Sequence, residues 1–215
     1  MTPHGPDRVT KGSFGMIILA GGRGSRLGGL DKPGLVVGDR TLLGSVVAAG
    51  TAAGARQVIV VGPERPGLSG ACFVREEPPG AGPVPALRRG LAEAGEPWVA
   101  VLAADLPFLR PAHLGALLRA GQGHRGAVLA DDAGRPQWLA GCWRTGALRD
   151  AAAGYAGDSL RGLLGPLAPV LVRIARAPGE APPWLDCDTP DDLRKLRELA
   201  AGSIQVNFHT HGSSG

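Results

Sequence analysis

This sequence predicts a doubly wound α/β sheet, with helices on both faces of mostly parallel strands. Three observations predict it. Short apolar runs at residues 16–20, 57–61 and 98–104 read as strands buried on both faces. Ala-, Leu- and Val-rich segments of helical length separate them. The 215 residues are 44% hydrophobic and 20% charged, which suits one globular domain with a substantial core.

The elements follow in order. Residues 1–15 are polar and contain Gly and Pro, so a disordered extension is expected. Residues 16–20 form the first strand, and a glycine-rich loop follows it. Residues 41–54 are helical in length and composition, with Thr41 as N-cap. Residues 57–61 and 71–75 are strands, the second weaker. A turn-rich loop over 76–85 leads into a helix over 86–94. Residues 98–104 are a continuous apolar strand that ends at Asp105-Leu106-Pro107. Pro111 opens a helix over 111–120. Strands at 126–130 and 137–142 flank a polar turn at 131–135. Short helices at 145–153 and 159–164 precede late strands at 170–174 and 184–186. Thr189-Pro190 leads into a last helix over 191–201, and 202–215 is a polar tail, expected to be flexible.

Bulk properties exclude several functions. The net charge is +4, but the basic residues are scattered and only one Tyr occurs, so no nucleic-acid partner is expected. No apolar run approaches the roughly 20 residues of a membrane helix. The N-terminal residues lack a signal-peptide hydrophobic region, and a cytoplasmic location is expected. Cys72, Cys142 and Cys187 are far apart and have no metal-ligand spacing, so they read as reduced thiols in or near strands. His113, on a helix, reads as solvated, as do His124, His209 and His211.

The chemistry concentrates after the first strand. Gly21, Gly22, Gly24, Gly28 and Gly29 are interleaved with Arg23, Arg26 and Lys32. Glycines let backbone N–H groups approach an anion, and the three cations add charge where phosphates would lie. A flexible surface loop explains the glycines but not the cations. The stretch is neither a Walker A loop nor a good dinucleotide fingerprint. In doubly wound sheets ligands sit beyond the carboxyl ends of the strands. The glycine loop and Asp105 leave their strands at that shared edge. A carboxylate there suits Mg²⁺ with phosphate oxygens, or else a cap or salt bridge. Asp186 and Asp188 alternate in an extended segment, and either completes a metal site with Asp105 or helps to cap the last helix. Asp191 and Asp192 are expected to favour the positive end of that helix. The loop with Glu77, Gly82 and Pro83 can wrap a base or ribose, or serve as an ordinary connection.

The stretch Leu19-Ala20-Gly21-Gly22-Arg23-Gly24-Ser25-Arg26-Leu27-Gly28-Gly29-Leu30-Asp31-Lys32 resembles the signature of nucleotidyltransferases that act on the molybdenum cofactor. The resemblance is to the molybdenum cofactor guanylyltransferase family. It continues through Gly82-Pro83-Val84, Ala104-Asp105-Leu106-Pro107 and Asp188-Thr189-Pro190-Asp191-Asp192-Leu193, in the family's order, across residues 16–200. It implies a Rossmann-like nucleotidyltransferase fold of three α/β/α layers, with the transferase domain over 16–201. The implied activity is Mg²⁺-dependent transfer of GMP from GTP to molybdopterin, with release of pyrophosphate. Leu19, Ala20, Gly21, Gly22, Arg23, Lys32, Gly62, Glu77, Gly82 and Asp105 are then expected at the nucleotide. Arg26, Lys32 and Asp105 are expected to be catalytic, and Asp105 with Asp186 or Asp188 to hold the metal. Gly62 and Glu77 depart from the family's frequent Asn and Asp, Pro33 from Gly, and Asp188 from Asn. CTP in place of GTP, and a sugar phosphate or phospho-acid as acceptor, are the alternatives within the enzyme class. A nucleotide-binding adaptor on the same fold is the non-enzyme alternative. A monomer or small homo-oligomer is expected.

Overall fold

The computed structural model describes residues 13–21 and 31–209, with side chains described as far as residue 201. Strand β1 is Phe14–Leu19. A 3₁₀ turn at Lys32–Gly34 leads to a small antiparallel ribbon of β2, Val36–Val37, and β3, Arg40–Thr41. Helix α1 is Leu42–Ala52, capped by the Thr41 hydroxyl, which accepts from the Gly44 N–H at 3.0 Å. Strands β4, Gln57–Val61, and β5, Ala71–Val74, follow. Helix α2 is Pro83–Glu93, β6 is Trp98–Ala103 and α3 is Pro111–Ala120. Then come β7, Gly126–Ala130, β8, Pro136–Arg144, α4, Thr145–Gly154, and α5, Leu160–Leu164. Strand β9, Val170–Val172, and helix α6, Pro190–His209, complete the order.

Seven strands form one sheet in the order β5-β4-β1-β6-β8-β7-β9. Only β8 runs against its neighbours; the other pairings are parallel. The adjacent strands β1 and β6 carry no polar side chain because both faces are covered. Their alternation divides the core. Met16 and Ile18 face one side with Leu43 and Val46 of α1 and Leu114 and Leu117 of α3. Ile17 and Leu19 face the other with Leu87 of α2, Leu148 of α4 and Leu163 of α5. A smaller cluster, Val37, Leu42, Cys187 and Leu196, docks α6 on the β2–β3 ribbon. That docking carries the 186–188 segment back to the 3₁₀ turn that holds Lys32.

Several expectations change. The strand expected over 184–186 is absent: Trp184 lies in a turn and Leu185–Asp186 have no ladder partner. The first strand begins at Phe14, inside the segment expected to precede the domain. Helix α6 runs to His209, past the expected end at 201, and the tail from 210 lies outside the described residues. Gln57–Val61, Pro111–Ala120 and Gly126–Ala130 fall where the pattern places them.

His113 is the other correction: it is buried, with 8% of its surface exposed. Its Nδ1 accepts a hydrogen bond from the Arg110 backbone N–H at 3.0 Å, at the start of α3. Burial holds its pKa below the ordinary value, the Arg110 charge adds to this, and Glu180 opposes it. The unfolded chain takes up the proton near pH 6.5, while the folded chain resists it to a lower pH. Between those values the unfolded state binds more protons, so stability falls as the pH drops below about 6.5. His113→Gln supplies an acceptor at the same helix position without titrating. Its melting temperature is expected to vary less between about pH 7.5 and pH 5 than that of the wild type.

Candidate active site

Three strands deliver the site to one edge. The Ala20 N–H donates to the Val61 carbonyl, the Gly62 N–H to the Val74 carbonyl, and the Ala104 N–H to the Leu19 carbonyl, at 2.9, 2.8 and 3.2 Å. The parallel ladder thus continues one residue past β1, β4 and β6, and ends them level. Leu19 and Ala20 are buried, so it is their backbone that lies at this edge. Gly62 is packed so closely that a Cβ there would lie 2.9 Å from the carbonyl carbon and oxygen of Ala20. A side chain at this position therefore requires the end of β1 to shift.

Lys32 is the centre of the cluster. Its ammonium is paired with Asp105 and donates to Asp188 Oδ1 at 2.7 Å. Asp105 sits in the turn after β6, with 13% of its side chain exposed; the Asp188 side chain is 47% exposed. Burial pulls the Lys32 pKa down, but hydrogen bonds to Asp105 and Asp188 outweigh it and hold the ammonium above its ordinary value. Asp186 is the third carboxylate. Burial pushes its pKa up, and the Asp105 and Asp188 charges add to this. Asp105, Asp186 and Asp188 each offer an oxygen within 4.8 Å of the others. Three carboxylate oxygens converging in this way could hold a hard divalent cation.

Local chemistry explains how 186–188 reaches Lys32. The Thr189 hydroxyl accepts from the Asp192 N–H at 3.1 Å, and Asp192 Oδ2 accepts from the Thr189 N–H at 2.8 Å. This capping box fixes the start of α6 and leaves Asp188 to face the ammonium. The Thr189 hydroxyl and the local backbone N–H groups hold the Asp192 carboxyl below its usual range. Asp191 pairs with Arg194. Asp191 and Asp192 therefore serve the helix, while Asp186 and Asp188 face Lys32.

Other expected residues are placed less directly. Glu77 is exposed, and its neighbour Glu76 is the buried one. Glu76 Oε1 accepts from the Gly80 N–H at 2.8 Å and lies beside Gly21. Gly82 precedes α2 at φ 110°, in the region that favours glycine. Pro33 occupies the first turn of the 3₁₀ segment, where its missing N–H costs nothing. Gly22, Arg23, Gly24, Arg26, Gly28 and Gly29 lie outside the described residues.

Two features escaped the sequence reading. Arg65, after β4, donates through Nε to Asp31 Oδ2 at 3.2 Å and so ties down the residue before Lys32. A cleft of about 690 Å³ opens beside Asp105 and Asp186, with Trp138, Arg161 and Trp184 in its wall. Neither had a local signal, because each depends on segments far apart in the chain.

Residues 16–170 match the model of the MobA-like NTP transferase domain. Over 195 residues the chain is 36% identical to the phosphoenolpyruvate guanylyltransferase of Rubrobacter xylanophilus, covering 86% of this chain and 91% of that protein. It is 31% identical over 192 residues to the molybdenum cofactor guanylyltransferase of Cereibacter sphaeroides, covering 86% and 96%. A shorter match, 37% over 117 residues, covers 52% of this chain and 57% of an Opitutus terrae protein named "Probable molybdenum cofactor guanylyltransferase". Among solved structures, molybdopterin-guanine dinucleotide biosynthesis protein A from Archaeoglobus fulgidus superposes with a TM-score of 0.68 at 20% identity, over 87% of this chain and 98% of that one. Rv0371c of Mycobacterium tuberculosis H37Rv, solved as a complex with manganese, gives 0.64 at 22% identity, over 86% and 98%. The fold is the Rossmann-like fold of nucleotidyltransferases.

Proposed function

The chain belongs to the MobA-like NTP transferase family and is a nucleotidyltransferase; from that premise we propose that it transfers GMP from GTP to molybdopterin and releases pyrophosphate. The observation that carries this reading is one ammonium among three carboxylates at the end of β1 and β6. GTP is supported by relatives named guanylyltransferases of two kinds, one for the molybdenum cofactor and one for phosphoenolpyruvate.

In this reading the glycine loop wraps the triphosphate with its backbone N–H groups, and Arg23, Arg26 and Lys32 neutralise it. Leu19, Ala20, Gly21 and Gly22 are the residues we assign to the phosphates, and Gly62, Glu77 and Gly82 those we assign to the nucleoside. Asp105, with Asp186 or Asp188, would hold Mg²⁺, which when bound draws charge from the α-phosphate. Lys32, which pairs with Asp105 and Asp188, is the cation we assign to the phosphates beside these carboxylates. The acceptor's phosphate oxygen then attacks the α-phosphorus in line. The bond from the α-phosphorus to its bridging oxygen breaks, and pyrophosphate leaves. The attacking phosphate is already anionic, so no protein nucleophile is needed; the protein's part is positioning and charge neutralisation. No helix among the described residues is long and apolar enough to cross a membrane.

The test crosses GTP, CTP, ATP and UTP with molybdopterin and phosphoenolpyruvate, in the presence of Mg²⁺, and measures pyrophosphate. GTP with molybdopterin is expected to give the highest rate. Turnover with phosphoenolpyruvate alone, or with CTP in preference to GTP, contradicts this assignment. Nucleotide binding without pyrophosphate from any pair points instead to the adaptor reading.

A further inference from the structure

Two neighbours of opposite charge, Asp31 and Lys32, stand at the start of the 3₁₀ turn, and each is met from a different side. Lys32 is paired with Asp105, after β6, and with Asp188, before α6. Asp31 is paired with Arg65, after β4. The guanidinium grips this carboxylate with two nitrogens. Its Nε donates to Oδ2 at 3.2 Å, and one terminal nitrogen donates to Oδ1. The other terminal nitrogen donates to the Pro63 carbonyl at 3.0 Å and fixes the guanidinium to its own loop. A two-point pair between Arg and a carboxylate sets direction as well as distance. The same end of β4 also holds the other flank of the glycine-rich stretch, because the Val61 carbonyl accepts from the Ala20 N–H at 2.9 Å.

The turn that carries Lys32 needs a hold of this kind. Short 3₁₀ turns have poor hydrogen-bond geometry. This one is closed by the Gly34 N–H on the Asp31 carbonyl at 3.0 Å and the Leu35 N–H on the Lys32 carbonyl at 3.1 Å, and it buries none of its own residues. Among the described residues Asp31 makes no side-chain cap on the turn, so its carboxylate serves Arg65. Gly34 leaves room for it: a Cβ there would lie 2.5 Å from Asp31 Oδ2. The Arg65 side chain is 13% exposed and that of Asp31 59%. A pair with one partner in solvent adds little to stability. Its consequence is local, because it fixes the residue next to Lys32.

We propose that Arg65 is a positioning residue: through Asp31 it holds the turn that carries Lys32, and so sets where the ammonium stands for a triphosphate. The triphosphate in this statement rests on the nucleotidyl-transfer reading, whereas the hold on the turn is measured without it. Hydrogen exchange of the amides of residues 34 and 35, followed by NMR, reports opening of the turn directly. Arg65→Gln, Asp31→Ala and Gly34→Ala are each expected to speed this exchange at least about five-fold. Gly34→Ala is informative because it removes no charge and acts only by pushing the Asp31 carboxylate aside. Exchange in β1 and β6 is expected to match the wild type in all three, which shows that the fold persists.

The same variants are expected to lower pyrophosphate release about 10- to 100-fold, the scale of a small misplacement of a group at the reacting centre. Arg65→Gln combined with Asp31→Ala is expected to lose no more than the worse of the two alone, as for groups that act as one unit. In a Lys32→Ala background, Arg65→Gln is expected to change the residual rate by less than about two-fold, because its effect passes through Lys32. A general loss of structure lowers the rate in both backgrounds. Unchanged exchange at residues 34 and 35 in Arg65→Gln overturns the proposal, as does an equal loss of rate with and without Lys32. Full turnover in Asp31→Ala beside a loss in Arg65→Gln also overturns it, since Arg65 then acts on the substrate directly. No pyrophosphate from the wild type with any pair of NTP and acceptor counts against the nucleotidyl-transfer reading alone, because the exchange still decides whether Arg65 holds the turn.

Discussion

Lys32→Ala is expected to lower pyrophosphate release by at least about 10³-fold, the scale of removing a fixed charge or donor from a transition state in a water-excluded site. The folded structure is expected to persist, with an unchanged far-UV spectrum, because Lys32 lies in a short 3₁₀ turn outside both main core layers. Its hydrogen bonds to Asp105 and Asp188 hold its pKa above the ordinary value despite burial. The ammonium therefore stays charged through the neutral range, and the activity profile is expected to show no Lys32 limb below about pH 10. Lys32→Arg keeps the charge but replaces a compact ammonium with a planar fork. Recovery of only a small part of the activity in Lys32→Arg is the expected sign that position, and not charge alone, matters. Near-normal turnover in Lys32→Ala refutes the assignment.

Asp105→Asn is expected to cause a loss of similar size, and to abolish the response of the remaining activity to Mg²⁺. The substitution is nearly isosteric, so its effect reports charge and not packing. It leaves Lys32 with its hydrogen bond to Asp188, which keeps the cluster from collapsing. It also removes one of the two neighbouring charges that raise the Asp186 pKa, the other being Asp188. The Asp186 carboxyl is therefore expected to titrate at lower pH in Asp105→Asn than in the wild type, as read by carboxyl-carbon NMR. Parallel titrations of Asp186→Asn and Asp188→Asn with Mg²⁺ identify the second ligand as the one whose loss weakens the metal more. Asp105→Asn with wild-type affinity for Mg²⁺ and wild-type turnover contradicts the site.

Much of this was legible in the sequence because its causes are local. A strand covered on both faces must be apolar throughout, and residues 57–61 and 98–104 therefore announced β4 and β6. Thr41 and Pro111 mark helix starts through single-residue capping chemistry. The meeting of Lys32 with Asp105 followed from the rule that ligands gather at the carboxyl ends of parallel strands. What stayed hidden depends on tertiary contacts. The choice between metal and cap for Asp186 and Asp188 turns on where α6 docks, and that is set by Leu196 against Val37 and Leu42. Residues 184–186 have the apolar look of a strand, but this segment finds no partner in the sheet. His113 reads as solvated from its helix alone, yet its ring turns inward to accept from Arg110. Glu76 and Glu77 are indistinguishable in sequence, and only the path of the loop buries the first of them. Trp138 lines the cleft beside a register shift in the pairing of β8 with β7, which no single segment encodes.

The most direct test of the central claim follows the α-phosphorus itself. GTP labelled at that atom is incubated with the purified chain, Mg²⁺ and molybdopterin, and the label and the pyrophosphate are counted together. The account predicts that the label moves to the acceptor in equal amount with pyrophosphate, and that both are lost in Lys32→Ala. Label that stays in GTP while the protein binds GTP and Mg²⁺, or that leaves only as free GMP, contradicts it.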